Sequence, residues 1–165
     1  MVTKFEEKSI IIETEINASV DEVWEAWTTP EGVKSFFAPD CKIELTVNGE
    51  YEIYFDKDAP AGSRGSEGVR IMAIQPGKMF SFNWNAPPHF RETRNQRTHV
   101  TLRFYSIDQK KTRLILIQDG WGDGGEWDLT YEYFVKAWGK IVIPRLKYRF
   151  ENGPIDWENP PELIK

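Results

Sequence analysis

The chain has 165 residues, of which 40% are hydrophobic, 28% charged and 14% aromatic, and its net charge is −5. The length suits one domain, while the acidic balance disfavours nucleic acid, an acidic partner and a membrane surface, because phosphate binding requires clustered cations. A single cysteine, Cys41, excludes an internal disulfide and a cysteine-based zinc site. Since no apolar run is long enough to cross a bilayer, we expect a cytoplasmic protein without membrane insertion.

The first predicted element is a half-buried strand over residues 9–17. Ile10, Ile12, Thr14 and Ile16 fall on one face of this segment, and acidic residues fall on the other. We therefore expect one face of the strand to join a core.

Two short helices are predicted after this strand. Ser19 and Glu22 have capping-box spacing, and Thr29 and Pro30 supply a cap and a first helical residue. The second helix is expected to end at about Phe37. The first helix carries apolar residues at helical spacing, namely Val20, Val23, Trp24 and Trp27.

Three hairpins are predicted in the middle of the chain, where the hydrophobic period falls to two. Their turns are an Asn-Gly pair at 48–49, a Gln-Pro-Gly segment at 75–77 and the polar segment 108–111. The flanking strands are 41–47 and 50–55, 68–74 and 79–85, and 98–107 and 112–118. Together with the first strand, these six strands predict one seven-stranded antiparallel sheet.

The C-terminal segment is predicted to be a helix that covers the apolar face of this sheet. Phe80, Phe82 and Trp84 share a face, and an antiparallel sheet with one apolar face must be covered. A helix of about twenty residues begins near residue 126, with a bend or break near 139–144 because Pro144 removes a backbone hydrogen bond. Its apolar stripe is Trp127, Tyr131, Phe134, Trp138 and Ile141.

The predicted fold class is α+β. A curved seven-stranded antiparallel sheet wraps around a long C-terminal helix, and two short helices lie between strands 1 and 2. We expect residues 1–152 to form a single domain and residues 153–165 a proline-rich tail. In that tail, Trp157 and Leu163 are candidates to pack back onto the domain or onto a second subunit.

Three glycines, Gly120, Gly122 and Gly125, have the spacing of a dinucleotide-binding loop. Such a loop must open a βαβ unit, and no parallel strand is predicted after it. Acidic residues around the loop would also repel a phosphate, and two of them, Asp123 and Glu126, have capping-box spacing. We therefore interpret the glycines as a strand-to-helix corner.

Two further sets of residues contain side chains that often bind metals, but neither has the complete spacing of a known metal site. Asp56, Asp58 and Glu67 match positions 1, 3 and 12 of a calcium loop, but the turning glycine and the flanking helices are missing. His89 and His99 have no carboxylate at ligand spacing. We interpret both groups as loops and predict neither a metal site nor a cofactor.

A cluster of cations lies near the end of the last helix. The negative end of a helix dipole favours cations by itself, so a structural role is expected rather than an anion site. The cluster consists of Lys140, Arg145, Lys147 and Arg149.

No arrangement of catalytic residues stands out in the sequence. The high aromatic content predicts either a solid core or a pocket for an apolar molecule, and the residues leave both open.

Three segments carry a resemblance to a known superfamily. These are residues 18–39, the Gly-Trp-Gly motif at 120–122 ahead of Glu126-Trp127, and residues 131–138. Together they resemble the START-like (SRPBCC) superfamily with its helix-grip fold, and within it the proteins similar to the C-terminal domain of the heat-shock-protein-90 ATPase activator. The likeness runs from about residue 8 to residue 150.

The resemblance implies an elongated apolar cavity between sheet and helix. It also implies that the cavity binds a hydrophobic or aromatic small molecule similar to a lipid or a polyketide. By position, the lining would be Trp24, Trp27, Phe36 and Phe37 at one end, Ile53, Phe55, Ile71, Phe82 and Trp84 on the sheet, and Tyr131, Phe134 and Trp138 on the helix.

Two other functions stay open. One is a polyketide cyclase-like enzyme that uses the cavity, with Tyr131 or Asp128 transferring a proton. The other is a co-chaperone-like regulator of a heat-shock-protein-90 type ATPase, which the resemblance alone suggests. A homodimer is also left open, while nucleic acid is not expected as a partner.

Overall fold

Seven strands form two antiparallel sheets within residue 1 and residues 7–163, the part of the chain that the computed structural model describes. The larger sheet has the order β1-β7-β6-β5-β4, and the smaller one pairs β2 with β3. The strands are β1 (Ile10–Ile16), β2 (Asp40–Ile43), β3 (Tyr51–Tyr54), β4 (Ile71–Gln75), β5 (Met79–Trp84), β6 (Thr98–Asp108) and β7 (Lys111–Asp119). All three predicted hairpins are confirmed, and so are the α+β class and the antiparallel pairing.

The predicted single sheet is divided between β3 and β4. The Ile53 N–H donates to the Ser66 hydroxyl at 2.7 Å, and this hydroxyl donates to the carbonyl of Tyr51 at 3.2 Å. A side chain thus occupies places that the backbone of a neighbouring strand would fill in a regular ladder. Gly68 then takes a φ of +82°, outside the extended region, before β4 begins. Two isolated bridges and a few further backbone hydrogen bonds, rather than a regular ladder, connect β3 to the segment before β4.

Two short helices, α1 (Val20–Thr28) and α2 (Pro30–Phe36), connect β1 to β2. The predicted capping box is present, since the Glu22 N–H donates to Ser19 Oγ at 3.2 Å and the Ser19 N–H donates to the Glu22 carboxylate at 2.9 Å. At α2, the Thr29 hydroxyl oxygen accepts a hydrogen bond from the Gly32 N–H at 3.0 Å. Local signals alone thus determine where both helices begin.

The C-terminal helical region consists of α3 (Glu126–Lys136), a π-helical segment (Ala137–Val142) and α4 (Ile143–Asn152). The π segment lies where a bend or break was predicted, immediately before Pro144. The Ile143 N–H donates to the carbonyl of Trp138, five residues earlier. Pro144 has no N–H to donate to the preceding turn, and the wider π turn lies just before it.

Trp138 joins the C-terminal helical region to the large sheet. Its indole N–H donates to the Gln118 side-chain oxygen on β7 at 2.7 Å, in a fully buried position. Its ring centroid lies 5.8 Å from that of Trp84 on β5. The helical region therefore packs on the apolar side of the sheet, where Phe80, Phe82 and Trp84 are buried as predicted.

The glycine-rich segment is the corner between β7 and α3. A Cβ on Gly122 would lie 2.3 Å from the indole nitrogen of Trp127, so only glycine allows this approach. Gly125 is the N-cap of α3 and has a φ of +56°. Gly120 also has a positive φ, of +81°, so the steric and conformational needs of a sharp turn account for all three glycines.

The predicted capping box at Asp123 and Glu126 is wrong, because α3 has no side-chain cap. The Glu126 carboxylate instead accepts hydrogen bonds from the backbone N–H groups of Glu92 and Thr93, at 2.8 and 2.6 Å. It thereby ties the segment between β5 and β6 to the first turn of α3.

The segment after Asn152 packs onto α2. The Trp157 indole N–H donates to the carbonyl of Lys34 at 2.6 Å, and the Ile155 N–H donates to the carbonyl of Ser35 at 2.9 Å. Ile155 is buried. Residues 2–6 and 164–165, which the predicted domain and tail include, lie outside the described residues.

Candidate functional site

A cavity of about 450 Å³ lies between the C-terminal helical region, the end of β5 and the loop that follows β3. This volume falls in the range of small-molecule sites, which is about 300–1,000 Å³. Ala86, Ala137 and Gly65 are part of its lining, so short side chains leave the space open. Phe55 and Ile141, both nearly half exposed, also line the cavity and lie where it meets solvent.

Five rings form what we call the cavity cluster: Phe37, Phe55, Trp84, Phe134 and Trp138. Their neighbouring centroids are 5.6 to 6.4 Å apart. Phe37 contacts three of the other rings, because it follows α2 and projects toward both the sheet and the helix. All except Phe55 are buried, and Phe55 lies where the cavity meets solvent.

The loop on one side of the cavity is held by Arg94. Its guanidinium donates to the carbonyls of Gly62 and Gly65, at 2.7 and 3.0 Å, and to that of Ala86. It also lies 3.7 Å from the Glu67 carboxylate. One cation therefore joins the loop after β3 to the segment after β5, and both segments line the cavity.

Glu67 fixes the same loop from within. Its carboxylate accepts hydrogen bonds from the backbone N–H groups of Arg64 at 3.2 Å and Gly65 at 2.7 Å. Burial alone would raise the pKa of Glu67, but these hydrogen bonds outweigh it and lower the pKa. The residue that matched position 12 of a calcium loop thus binds backbone N–H groups of its own loop.

Two polar side chains on the helical wall are desolvated. Arg145 on α4 and Tyr133 on α3 both line the cavity. Burial lowers the pKa of Arg145 and raises that of Tyr133, since both changes favour the uncharged form. Arg145 also stacks on Trp157, with the guanidinium carbon 5.1 Å from the ring centroid.

The twelve predicted lining residues fall into three groups. Five of them make up the cavity cluster. Trp27, Phe36, Ile53, Ile71 and Phe82 are at most 1% exposed and lie in the solid core. With Tyr51 and Phe80, three of these form what we call the packed cluster: Trp27, Phe36, Tyr51, Phe80 and Phe82.

The last two predicted lining residues, Trp24 and Tyr131, lie away from the cavity. Trp24 packs edge-on against Phe80 and Phe104, at 5.6 and 5.1 Å. The Tyr131 hydroxyl donates to the carbonyl of Ser9 at 3.1 Å.

The proton-transfer roles considered for Tyr131 and Asp128 have no support in the geometry. Asp128 is exposed and lies 3.4 Å from the Lys8 ammonium. Lys8 also lies over the Tyr131 ring, 4.4 Å from its centroid. Both residues therefore belong to a contact between α3 and the segment before β1, and neither lines the cavity.

The predicted cation cluster also separates into different environments. Arg149 donates to the Ser35 hydroxyl at 3.1 Å, while Lys140 and Lys147 are exposed. Only Arg145, among these four, lines the cavity. His99 lies 3.6 Å from Asp119 in an exposed pair, and His89 packs on Phe90.

Sequence reasoning did not place Arg145, Tyr133 or the loop residues around Gly65 at the cavity, and it gave Arg145 only a structural role in the cation cluster. Arg145 had a usable signal, because positions 138, 141 and 145 follow helical spacing and place it on the Trp138 face. The loop had none, since its path depends on the contacts of Arg94 and Glu67 rather than on a local pattern.

The described residues contain neither a metal-binding cluster nor a membrane-spanning helix. No group of three or more His, Cys, Asp or Glu side chains in this part of the chain could hold a metal ion. None of its helices combines the length and the apolar character that a membrane crossing needs.

A family model, described as "Activator of Hsp90 ATPase homolog 1-like protein", matches residues 17–151. None of the curated proteins is similar enough to match the chain. The family match agrees with the resemblance inferred from the sequence, including its branch.

Solved structures share the fold at low sequence identity. MLL2253 from Mesorhizobium loti is 18% identical with a TM-score of 0.69, over 90% of this chain and 100% of that one. PFC0360w, an HSP90 activator from Plasmodium falciparum, is 16% identical with a TM-score of 0.65, over 88% and 96%. The Aha1 dimer from Colwellia psychrerythraea is 16% identical with a TM-score of 0.60, over 88% and 98%.

Proposed function

The chain belongs to the Activator of Hsp90 ATPase homolog 1-like family, and from this membership and the cavity we propose that it binds a hydrophobic or aromatic small molecule. The observation that carries the proposal is a space of about 450 Å³ lined by the cavity cluster. Ring faces left uncovered lose packing contacts, so an apolar occupant of matching shape is stabilised there. The proposal treats the two sheets as one curved surface that grips the C-terminal helical region.

The shape and chemistry of the cavity favour a flat, lipid- or polyketide-like molecule. The faces of Phe134 and Trp138 are roughly parallel, with an angle of 25° between the rings, while Trp84 is tilted by 37° to Trp138. Such surfaces stack well on planar rings. Polar groups at the wall, among them Asn85 and Tyr133, would orient the ligand.

The test uses N-phenyl-1-naphthylamine, a neutral dye whose fluorescence rises in apolar surroundings. We expect the purified protein to bind it, and we expect Ala137→Phe to abolish the fluorescence gain by filling the cavity. Val135→Phe is the matched control, because Val135 is exposed on the same helix and does not line the cavity. Native mass spectrometry of the purified protein should detect a retained apolar molecule, which Ala137→Phe should lose.

Binding of the dye that is equally strong in Ala137→Phe would place the dye elsewhere and count against the proposal. So would the absence of both dye binding and a retained molecule. Circular dichroism and thermal unfolding of both variants check that the fold is kept.

A second candidate function is regulation of an Hsp90-type ATPase. The family match and the fold shared with the Plasmodium falciparum activator favour it. The test measures the ATPase rate of an Hsp90-type chaperone from the same organism with and without this protein, using the heat-unfolded protein as control. An unchanged rate over a wide concentration range would dismiss this function.

Homodimer formation is a separate prediction, which the fold shared with the Colwellia psychrerythraea dimer favours. Light scattering coupled to size-exclusion chromatography measures the mass directly against the 19.3 kDa of one chain. A constant monomer mass at high concentration would contradict it.

A further inference from the structure

Arg145 is an unusual residue for the wall of an aromatic cavity. It lies on α4, one and two turns beyond Val142 and Trp138, and all three line the cavity. A guanidinium offers five N–H donors in a rigid fork and stays charged at neutral pH. Arg145 is only partly buried, so donors that no protein group binds are available to water or to a ligand.

Protein partners for these donors are missing within the described part of the chain. No acceptor there lies within hydrogen-bond distance of the Arg145 guanidinium, and no carboxylate lies within 4.0 Å. Arg94, by contrast, donates to three carbonyls, and Arg149 donates to Ser35. The pKa of Arg145 is lowered by burial, and no neighbouring carboxylate counters this effect.

Trp157 positions the guanidinium without using its donors. The guanidinium lies 5.1 Å from the ring centroid of Trp157, whose own N–H is held by the carbonyl of Lys34. Stacking on a ring fixes the plane of the fork and leaves its edges free. Trp157 therefore holds the cation at the cavity wall without occupying its N–H donors.

Two other charged residues, Asp56 and Arg64, line the cavity, and they do not prevent an anion from binding to Arg145. Asp56 also lines the cavity, but it is exposed, and its carboxylate accepts a hydrogen bond from the Asp58 N–H at 3.2 Å. Arg64 adds a second cation to the lining, and its Nε donates to the carbonyl of Ala59 at 2.9 Å.

We propose that the ligand of this cavity carries a carboxylate, and that Arg145 binds it while the cavity cluster holds the apolar body. This inference rests on the proposed function and specifies its ligand class. Arg145 is then the residue that selects an acid over a neutral molecule of the same shape. A forked pair with a carboxylate supplies both charge and geometry.

The experiment displaces bound N-phenyl-1-naphthylamine with two competitors of nearly equal shape, 1-naphthaleneacetate and 1-naphthaleneacetamide. We expect the acid to displace the dye at a concentration roughly 10-fold lower than the amide, as a charged hydrogen bond of ordinary strength implies. In Arg145→Gln the acid should lose this advantage, so that acid and amide displace the dye at about the same concentration, each compared with the dye affinity of that variant.

Two variants separate the guanidinium from general charge effects. Lys147→Gln removes the same charge from an exposed position on the same helix and should keep the preference for the acid. Arg145→Lys keeps the charge without the fork and should retain only part of the preference. Thermal unfolding confirms that each variant folds.

The outcomes separate the two proposals. Dye binding with equal displacement by acid and amide, or a preference that survives in Arg145→Gln, overturns the carboxylate inference and leaves the binding function intact. A protein that binds neither the dye nor the competitors overturns both.

Discussion

The packed cluster and the cavity cluster use the same residue types to opposite ends. In the packed cluster, neighbouring ring centroids are 4.6 to 5.5 Å apart, and all five side chains are fully buried. In the cavity cluster they are 5.6 to 6.4 Å apart. Aromatic content alone therefore does not decide between a solid core and a binding space.

The neighbours of each cluster explain the difference. In the packed cluster, Trp27 on α1 packs edge-on against Phe36 on α2, and the Tyr51 hydroxyl on β3 donates to the carbonyl of Trp27 at 2.6 Å. Around the cavity cluster, the gaps face short side chains such as Ala86 and Ala137 and the backbone of a loop. Rings that meet rings or aliphatic chains close the space, whereas rings that meet alanine leave it open.

The largest expected effect tests the packed cluster. Phe80→Ala removes a fully buried ring that contacts Trp24, Tyr51, Phe82 and Phe104. We expect it to lower the free energy of unfolding by about 3–5 kcal/mol, because the surroundings cannot collapse into the space. Urea denaturation followed by circular dichroism measures this loss, and a loss below 1 kcal/mol would show that the cluster is not solid.

Tyr51→Phe tests the polar contact inside the same cluster. Without the hydroxyl, the carbonyl of Trp27 at the end of α1 loses a buried donor. We expect a loss of about 1–3 kcal/mol in the free energy of unfolding, with unchanged affinity for N-phenyl-1-naphthylamine. A variant as stable as the natural protein would show that water replaces the hydroxyl.

The same substitution changes the response to alkaline pH. Burial raises the pKa of Tyr51 well above its ordinary value of 10.0, and the charge of Cys41 raises it further. The folded-state pKa exceeds the unfolded one, so the stabilisation is complete below about pH 10 and is lost as the pH rises through the folded value. Tyr51→Phe should flatten the fall in melting temperature between pH 9 and 11. An identical fall in both proteins would contradict this assignment.

The two clusters differ in how far the sequence predicts them. Period-two and helical spacing correctly placed Phe80 and Phe82 on the inner face of the sheet and Trp27 on the inner face of α1. Those patterns report only which face of an element is buried. They do not report whether the facing side chain is large or small, and the resemblance assigned both Phe82 and Phe37 to the cavity lining by position alone.

The division of the sheet and the cavity wall also escaped prediction for physical reasons. The sheet is divided by one serine side chain, Ser66, that replaces backbone partners. The wall is held by contacts of Arg94 with residues about thirty positions earlier in the chain. Such tertiary contacts leave no periodic trace, whereas the caps at Ser19 and Thr29, which are local, were read correctly.

Glu67→Gln tests the wall of the cavity. Loss of the charge weakens the hydrogen bonds from the N–H groups of Arg64 and Gly65. We expect a loss of about 1 kcal/mol in stability and a several-fold weaker affinity for the dye at neutral pH. Glu44→Gln is the control, because Glu44 is exposed on the loop between β2 and β3 and lines no cavity.

Acid should have the same effect on the natural protein. The pKa of Glu67 lies below its ordinary value of 4.5, so its stabilisation is complete above pH 4.5 and is lost as the pH falls through the folded value. Dye affinity should fall in that range and become equal to that of Glu67→Gln, which should itself respond less to pH. A variant with the same pH profile as the natural protein would assign the acid response to another group.

Phe55→Ala separates the two clusters most sharply, because it should change binding more than folding. Phe55 is 46% exposed and packs on Phe37 with centroids 5.6 Å apart. Its partial burial predicts a loss of at most about 1 kcal/mol in stability. Removal of one cavity wall should nevertheless weaken dye binding several-fold.

Tyr105→Ala is the matched control for Phe55→Ala. Tyr105 is 44% exposed on β6, stacks on Arg113 and does not line the cavity. It should lose a comparable amount of stability and keep full dye affinity. If Phe55→Ala binds the dye as well as Tyr105→Ala does, the ring is only a cover for Phe37, and the ligand contacts must come from the buried rings alone.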